Sequence, residues 1–432
     1  MLKYAYFILA IVFTLTLFAK ESQIITSITP NQSIVNLNTL ITYKGKITSG
    51  KDIPSNTKVR YEEFINGILT RQGYTTLDKE IVLEHKMTNP GWYFVKLKMF
   101  DKNNKPIAIK NKLETASRGI IIAPQQIAVS SPRPKDFDNF WNLQRQYLNT
   151  VPVKEITRKE ISKNKKSTLV AYDVKVSCAG SSPLTGILTM PRNAKLKSLP
   201  AFVFFQGAGV SKAVSFGGYG SKAITLMVNA HGLENTLDKS YYQNLSKTSL
   251  KGYAHFNKDN REKIYFRDMF LRVMRALDYV KSLPQWNGKI LVVRGGSQGG
   301  AQAIVAAAMD KQVTLLVAEV PAMCDHNGFL APVKRRCGWP VFYTNNKNKK
   351  VIHATSYYDM INFAPRITCE SYITTGLTDL VSTPIGIACL YNAINSKNKH
   401  FLLHPTGGHI VPQIDSKFTK KFNKRIIEHF AE

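Results

Sequence analysis

The segment Val292-Val293-Arg294-Gly295-Gly296-Ser297-Gln298-Gly299-Gly300 constrains this chain more than any other. An apolar run ends in Gly-x-Ser-x-Gly and passes straight into the small-residue stretch from Gln298 to Met309. That order predicts a buried strand, a tight turn and a helix. Such a turn holds its central residue in a strained conformation, and only glycine at 295 and 299 lets strand and helix approach closely enough. Ser297 would then stand above a sheet edge at a helix amino terminus, where free amides and the dipole favour developing negative charge.

The flanking pattern supports this local reading. Thr168 to Val176 and Thr185 to Met190 predict an antiparallel pair, and Ala201 to Phe205 and Ala223 to Val228 predict buried strands. Phe266, Phe270, Val273, Leu277 and Val280 recur at helical spacing and give one apolar face. Strands at Ile290 to Val293, Val313 to Val317, Ser371 to Thr374 and His400 to Leu403 follow, with helices at Pro384 to Asn395 and from about Lys417. Regular β/α alternation implies a mainly parallel sheet covered on both faces, with functional residues at the strand carboxyl ends.

Before this region the pattern is different. From about Gln23 to Gln126 short alternating runs such as Trp92 to Met99 are separated by turn signals such as Asn89-Pro90-Gly91, the spacing of a small β-sandwich. The run Ser130-Ser131-Pro132-Arg133-Pro134 then precedes an amphipathic helix entered at Asp136. The expected organisation is a leader at 1–19, a sandwich-like domain at 20–126 and a catalytic domain at 127–432. No chemistry-bearing cluster falls in the sandwich, so a spacer role is favoured over a lid or a glycan-contacting module.

The leader is an apolar run from Tyr4 to Phe18 behind Lys3, too short to span a bilayer comfortably. Export follows, to a periplasmic, cell-surface or extracellular location, with cleavage after Ala19. An uncleaved anchor stays open because Leu17 is not the small residue preferred there. The net charge of +30 would attract acidic glycans, but lysines scattered through a Lys-, Asn- and Ile-rich chain equally make ordinary solvated faces. Nucleic acid is not an expected partner, since the basic clusters carry few interleaved aromatics. The five cysteines include no CxxC pair, which argues against structural zinc; Cys324 and Cys337 are the candidates for a disulfide.

Serine is a poor nucleophile at neutral pH and needs a base, which in turn needs an acid to hold its tautomer. Asp379, in Gly376-Leu377-Thr378-Asp379, and His409, in Pro405-Thr406-Gly407-Gly408-His409, both follow predicted strands and converge on the edge that carries Ser297. His404 competes as the base, and Asp325 and Asp359 as the acid. Backbone amides must receive the oxyanion. Gln298 supplies one by position, and the Gly-rich turn Gln206-Gly207-Ala208-Gly209 offers the second, at Ala208.

Several stretches resemble the acetylxylan esterases and cephalosporin C deacetylases of carbohydrate esterase family seven. They are Pro134 to Trp141, the elbow Gly295 to Gly300, Tyr357 to Ala364, Gly376 to Asp379 with Pro384 and Tyr391-Asn392, and Gly408-His409. The resemblance covers roughly 125 to 430 and implies an α/β-hydrolase fold. It also implies hydrolysis of acetyl esters of carbohydrates by Ser297, Asp379 and His409, with the amides of Gln298 and Ala208 as oxyanion hole and no cofactor or metal. Gln206-Gly207-Ala208 stands where the family has His-Gly-Tyr, which keeps the amide and reshapes the acyl pocket. Ala230 to Asn235 replaces the family's Arg-Gly-Gln-Gly segment, which makes His231 and Glu234 candidates for the substrate cleft. The oligomeric state stays open, because the amino-terminal domain lies outside the compact family core. Two other readings stay in view: a serine peptidase of prolyl oligopeptidase type, and a catalytically idle glycan-binding protein.

Overall fold

The computed structural model describes residues 24–432 apart from 49–52, 110–111, 114, 163, 165, 216–218, 343–347 and 411–415. The expected leader at 1–19 lies outside the described residues. Ten strands come first: β1 (Ile24–Thr29), β2 (Ile34–Val35), β3 (Leu40–Ile47), β4 (Lys58–Ile65), β5 (Ile68–Thr76), β6 (Ile81–Lys86), β7 (Gly91–Phe100), the short β8 (Ala108–Ile109) and β9 (Lys112–Leu113), and β10 (Thr115–Ile122). They make a three-stranded sheet, β1-β3-β6, and a five-stranded sheet, β2-β10-β7-β4-β5.

Period-two alternation drives this sandwich. In β3, Ile41, Tyr43 and Ile47 point inward and meet Tyr93, Val95 and Leu97 of β7, each buried apolar side chain contributing about 1.5–3 kcal/mol. The opposite face of β7 is not solvated. Trp92 and Phe94, with Phe64 and Ile121, belong to the apolar core of the following unit. The five-stranded sheet is therefore covered on both sides, and the two units share a packed wall rather than a spacer-like joint.

The second unit begins with α1 (Phe137–Asn149), the exposed edge strand β11 (Glu155–Glu160), β12 (Leu169–Val176), β13 (Leu184–Pro191), β14 (Leu199–Phe205), β15 (Ile224–Val228), α2 (Lys239–Lys247) and α3 (Tyr265–Ser282). It continues with β16 (Trp286–Gly296), α4 (Gln298–Met309), β17 (Leu315–Glu319), α5 (Lys349–Ser356), α6 (Met360–Phe363), β18 (Glu370–Gly376), α7 (Pro384–Ala393), β19 (Lys399–His404) and α8 (Ser416–His429). Sheet order is β11-β12-β13-β15-β14-β16-β17-β18-β19. Pairing is antiparallel from β11 through β13 to β15 and parallel from β15 to β19.

Alternate residues of the central strands bury opposite faces. Val203, Phe205, Leu291 and Val293 join the core under α3 and α4, while Phe202, Val292 and Leu315 pack against Phe422 and Ile426 of α8. From β14 the chain steps to β15 on one side and later returns to β16 on the other. That reversal opens a crevice at the carboxyl ends of β14 and β16, where ligands bind in sheets of this kind.

The disulfide proposed between Cys324 and Cys337 is not formed, since all five cysteines are free thiols. Cys324 is buried, and its Sγ faces the carbonyls of Pro321 and Ala322. Among the described residues no helix is long and apolar enough to cross a membrane.

Candidate active site

Ser297 sits between β16 and α4 with φ 57° and ψ −122°, a strained conformation for a residue with a Cβ. Three backbone bonds hold it there. Its N–H donates to the Glu319 carbonyl at 2.9 Å, and its carbonyl accepts from Ala322 at 3.0 Å and Ala301 at 3.1 Å. The flanking glycines are sterically required, because a Cβ on Gly295 would lie 2.2 Å from the Gly299 carbonyl and one on Gly299 2.1 Å from that of Phe205.

The His409 imidazole lies between this serine and Asp379. Its Nε2 is 2.9 Å from Ser297 Oγ, and its Nδ1 is 2.8 Å from Asp379 Oδ2. With Nδ1–H donating to the carboxylate, Nε2 is free to accept the hydroxyl proton. The other Asp379 oxygen accepts from the amides of Val381 at 2.7 Å and Ser382 at 3.0 Å, which fixes the buried carboxylate. The loops carrying Asp379 and His409 are stitched together by Leu377 N–H to His404 O at 2.9 Å and Thr378 N–H to Gly407 O at 3.0 Å.

The competing candidates go elsewhere. His404 stacks on Phe418 of α8. Asp325 accepts from Ser130 and Arg335, and Asp359 accepts from the amides of Asp325, His326 and Ile361. Neither carboxylate contacts His409. Burial, reinforced by Asp325, pushes the Asp359 carboxyl up to about 7.

Gly207, Ala208, Ser297, Trp339, Val381 and His409 line a cavity of about 420 Å³. The Gln298 side chain braces the loop opposite the serine. It accepts from the Tyr253 hydroxyl at 2.6 Å and donates to Gly207 O at 3.4 Å, while Gln302 donates to Gln206 O at 2.9 Å. Ala208 thus faces the serine across the crevice, on a loop held by α4.

His231 and Glu234 part company. His231 is buried, with Nε2 donating to Gly209 O at 2.9 Å and Nδ1 accepting from Tyr265 at 2.7 Å. Desolvation pulls its pKa down to about 4, so the ring is neutral. It therefore supports the Gln206 to Gly209 loop from behind. Glu234 is a surface residue paired with Lys175 at 3.4 Å and does not line this cavity, which corrects its assignment to the cleft. Trp339 and Tyr253 escaped sequence reasoning because both lie in irregular segments where no periodicity marks an inward side chain. Among the described residues no group of three or more His, Cys, Asp or Glu side chains could hold a metal ion.

A mainly parallel sheet covered on both faces, with a strained serine between strand and helix at its carboxyl edge, defines an α/β-hydrolase. The chain belongs to the acetyl xylan esterase (AXE1) family, which matches residues 125–425. It is 28% identical over 370 residues to the acetyl esterase Axe7A of Xylanibacter ruminicola, an alignment covering 83% of this chain and 80% of that one. In fold it is similar to the acetyl xylan esterase of Paenibacillus sp. R4, with TM-score 0.59 and 23% identity over 71% of this chain and 98% of that chain. Acetyl xylan esterase 1 of Thermoanaerobacterium sp. JW/SL YS485 gives TM-score 0.57 and 20% identity over 71% of this chain and 97% of that chain. The protein is a carboxylic ester hydrolase, and its family supports deacetylation of carbohydrate.

Proposed function

We propose that this protein is an exported carbohydrate acetylesterase that works through an acyl-enzyme on Ser297. The observation that carries the reading is the unbroken chain of hydrogen bonds from Asp379 through His409 to Ser297 at the floor of a cavity. His409 Nε2 takes the Ser297 proton as Oγ attacks the acetyl carbonyl, and Asp379 stabilises the imidazolium. The amides of Gln298 and Ala208 receive the oxyanion. Collapse expels the sugar hydroxyl, which takes the proton back from His409. Water, deprotonated by the same imidazole, then releases acetate and restores the serine.

Export rests on the apolar run from Tyr4 to Phe18. The acyl group is set at the loop Gln206-Gly207-Ala208, where a small alanine borders the cavity. The test compares the wild-type protein with Ser297→Ala on acetylated xylan, aryl acetates and peptides. Acetate release by the wild type alone is the expected result. Release by the variant at the wild-type rate would overturn the mechanism, and peptide cleavage without deacetylation would favour the peptidase reading.

A further inference from the structure

A second cavity, of about 560 Å³, lies behind the loop that borders the first. His231 lines it and bonds Gly209, the neighbour of Ala208 in the lining of the first cavity. The volume is within the range of small-molecule sites. Its wall includes Ser181, Ser182, Tyr241, Tyr265 and, from α3, Arg272.

Arg272 is the anomaly. Its side chain is buried, with the residue only 3% exposed, and its one hydrogen bond among the described residues runs from Nη2 to Ala230 O at 2.9 Å. Among the described residues the Nε–H has no acceptor and no carboxylate pairs with the guanidinium. Asp268, one turn earlier on α3, is already engaged by Ser181 N–H at 2.8 Å, Ser181 Oγ at 2.7 Å and Arg267 at 3.2 Å. A guanidinium keeps its charge in proteins, and a buried charge that no carboxylate touches, Asp268 acting on it only from a distance, carries a large desolvation penalty. An anion entering the cavity would relieve it.

We propose that this cavity binds a carboxylated sugar, with Arg272 as the carboxylate anchor. The planar fork of arginine matches a carboxylate, while tyrosine rings and serine hydroxyls suit the apolar face and hydroxyls of a pyranose. A monoanion fits better than a phosphate dianion, because Asp268 and Glu262 also stand in the wall. The sugar half of this assignment rests on the carbohydrate-ester reading; the anion half rests on Arg272.

Calorimetric titration of the full chain with glucuronate, glucose and acetate tests it. Saturable glucuronate binding is expected, at least about tenfold tighter than either glucose or acetate. Arg272→Met should lose that binding by about tenfold or more and melt, ligand-free, at or above the wild-type temperature. If Arg272→Met does not fold, Tyr241→Ala at the partly exposed wall should weaken glucuronate several-fold in a folded protein. Three results would overturn the site: no saturable glucuronate binding, glucose binding as tightly as glucuronate, or undiminished binding by both variants. Acetate binding as tightly as glucuronate would remove the sugar from the assignment. Because binding heat needs no turnover, failure here is separate from failure of the Ser297 chemistry.

Discussion

The indole N–H of Trp92, in the amino-terminal sandwich, donates to the carbonyl of Leu377 at 2.6 Å, two residues before Asp379. Gly119 N–H reaches Pro405 O at 2.8 Å in the loop leading to His409, and Ser117 Oγ donates to Thr378 Oγ1 at 3.0 Å. One sheet of the sandwich thus grips both loops that present Asp379 and His409. Trp92→Phe keeps an aromatic side chain but loses the indole N–H and strands the Leu377 carbonyl, for a loss of about 1–3 kcal/mol of stability. Turnover of an aryl acetate should fall several-fold with little change in KM. Unchanged turnover and urea stability would contradict this coupling.

Gly119→Ala probes the same contact by overpacking. A Cβ at this position would stand 2.1 Å from the Leu377 carbonyl, so strand and loop must separate, at about 1–3 kcal/mol. A lower melting temperature together with reduced kcat is expected. Lower stability with full kcat would show that the loops tolerate the shift.

Tyr253→Phe should lower kcat about tenfold, the worth of one hydrogen bond, because the lost hydroxyl orients Gln298 at 2.6 Å. The overall fold should survive, as read by circular dichroism. An unchanged kcat would mean that Gln298 needs no such brace.

Two buried histidines give stability a pH dependence. His231 and His326 are each pulled down to about 4 by desolvation, so the unfolded chain binds protons that the native one refuses as pH falls from about 6.5 toward 4. Stability is lost in that window. Asp359 acts in the opposite sense: with its carboxyl pushed up to about 7, the native state keeps a proton that the unfolded chain releases above the ordinary carboxylate range. From these three groups the wild type should take up about one proton on unfolding near pH 5, and Asp359→Asn about two. Melting temperature against pH measures both slopes. Parallel curves for the two proteins would contradict the assignment.

The elbow at Ser297 was legible because its steric demands are local, written into Gly295 and Gly299. That Asp379 and His409 would come together beside Ser297 was legible from their places just beyond apolar strand runs, and His409 rather than His404 is the histidine in contact with Ser297. The grip of Trp92 on Leu377 was not legible. Its partners lie 285 residues apart, and aromatic alternation in β7 looks the same whether one face is buried or two. Glu234 was misplaced for a related reason: a polar residue in the loop after β15 can face cleft or solvent, and no periodicity decides between them. Arg272 was hidden inside the apolar face of a helix, where its charge resembles a solvated position.

If Ser297 is the nucleophile, an organophosphorus ester should label it, and peptide mass spectrometry after that reaction reads the labelled residue. One stoichiometric adduct is expected, on the peptide carrying Ser297, formed in step with loss of acetate release and absent from Ser297→Ala. Full inactivation with the adduct on any other residue would contradict it.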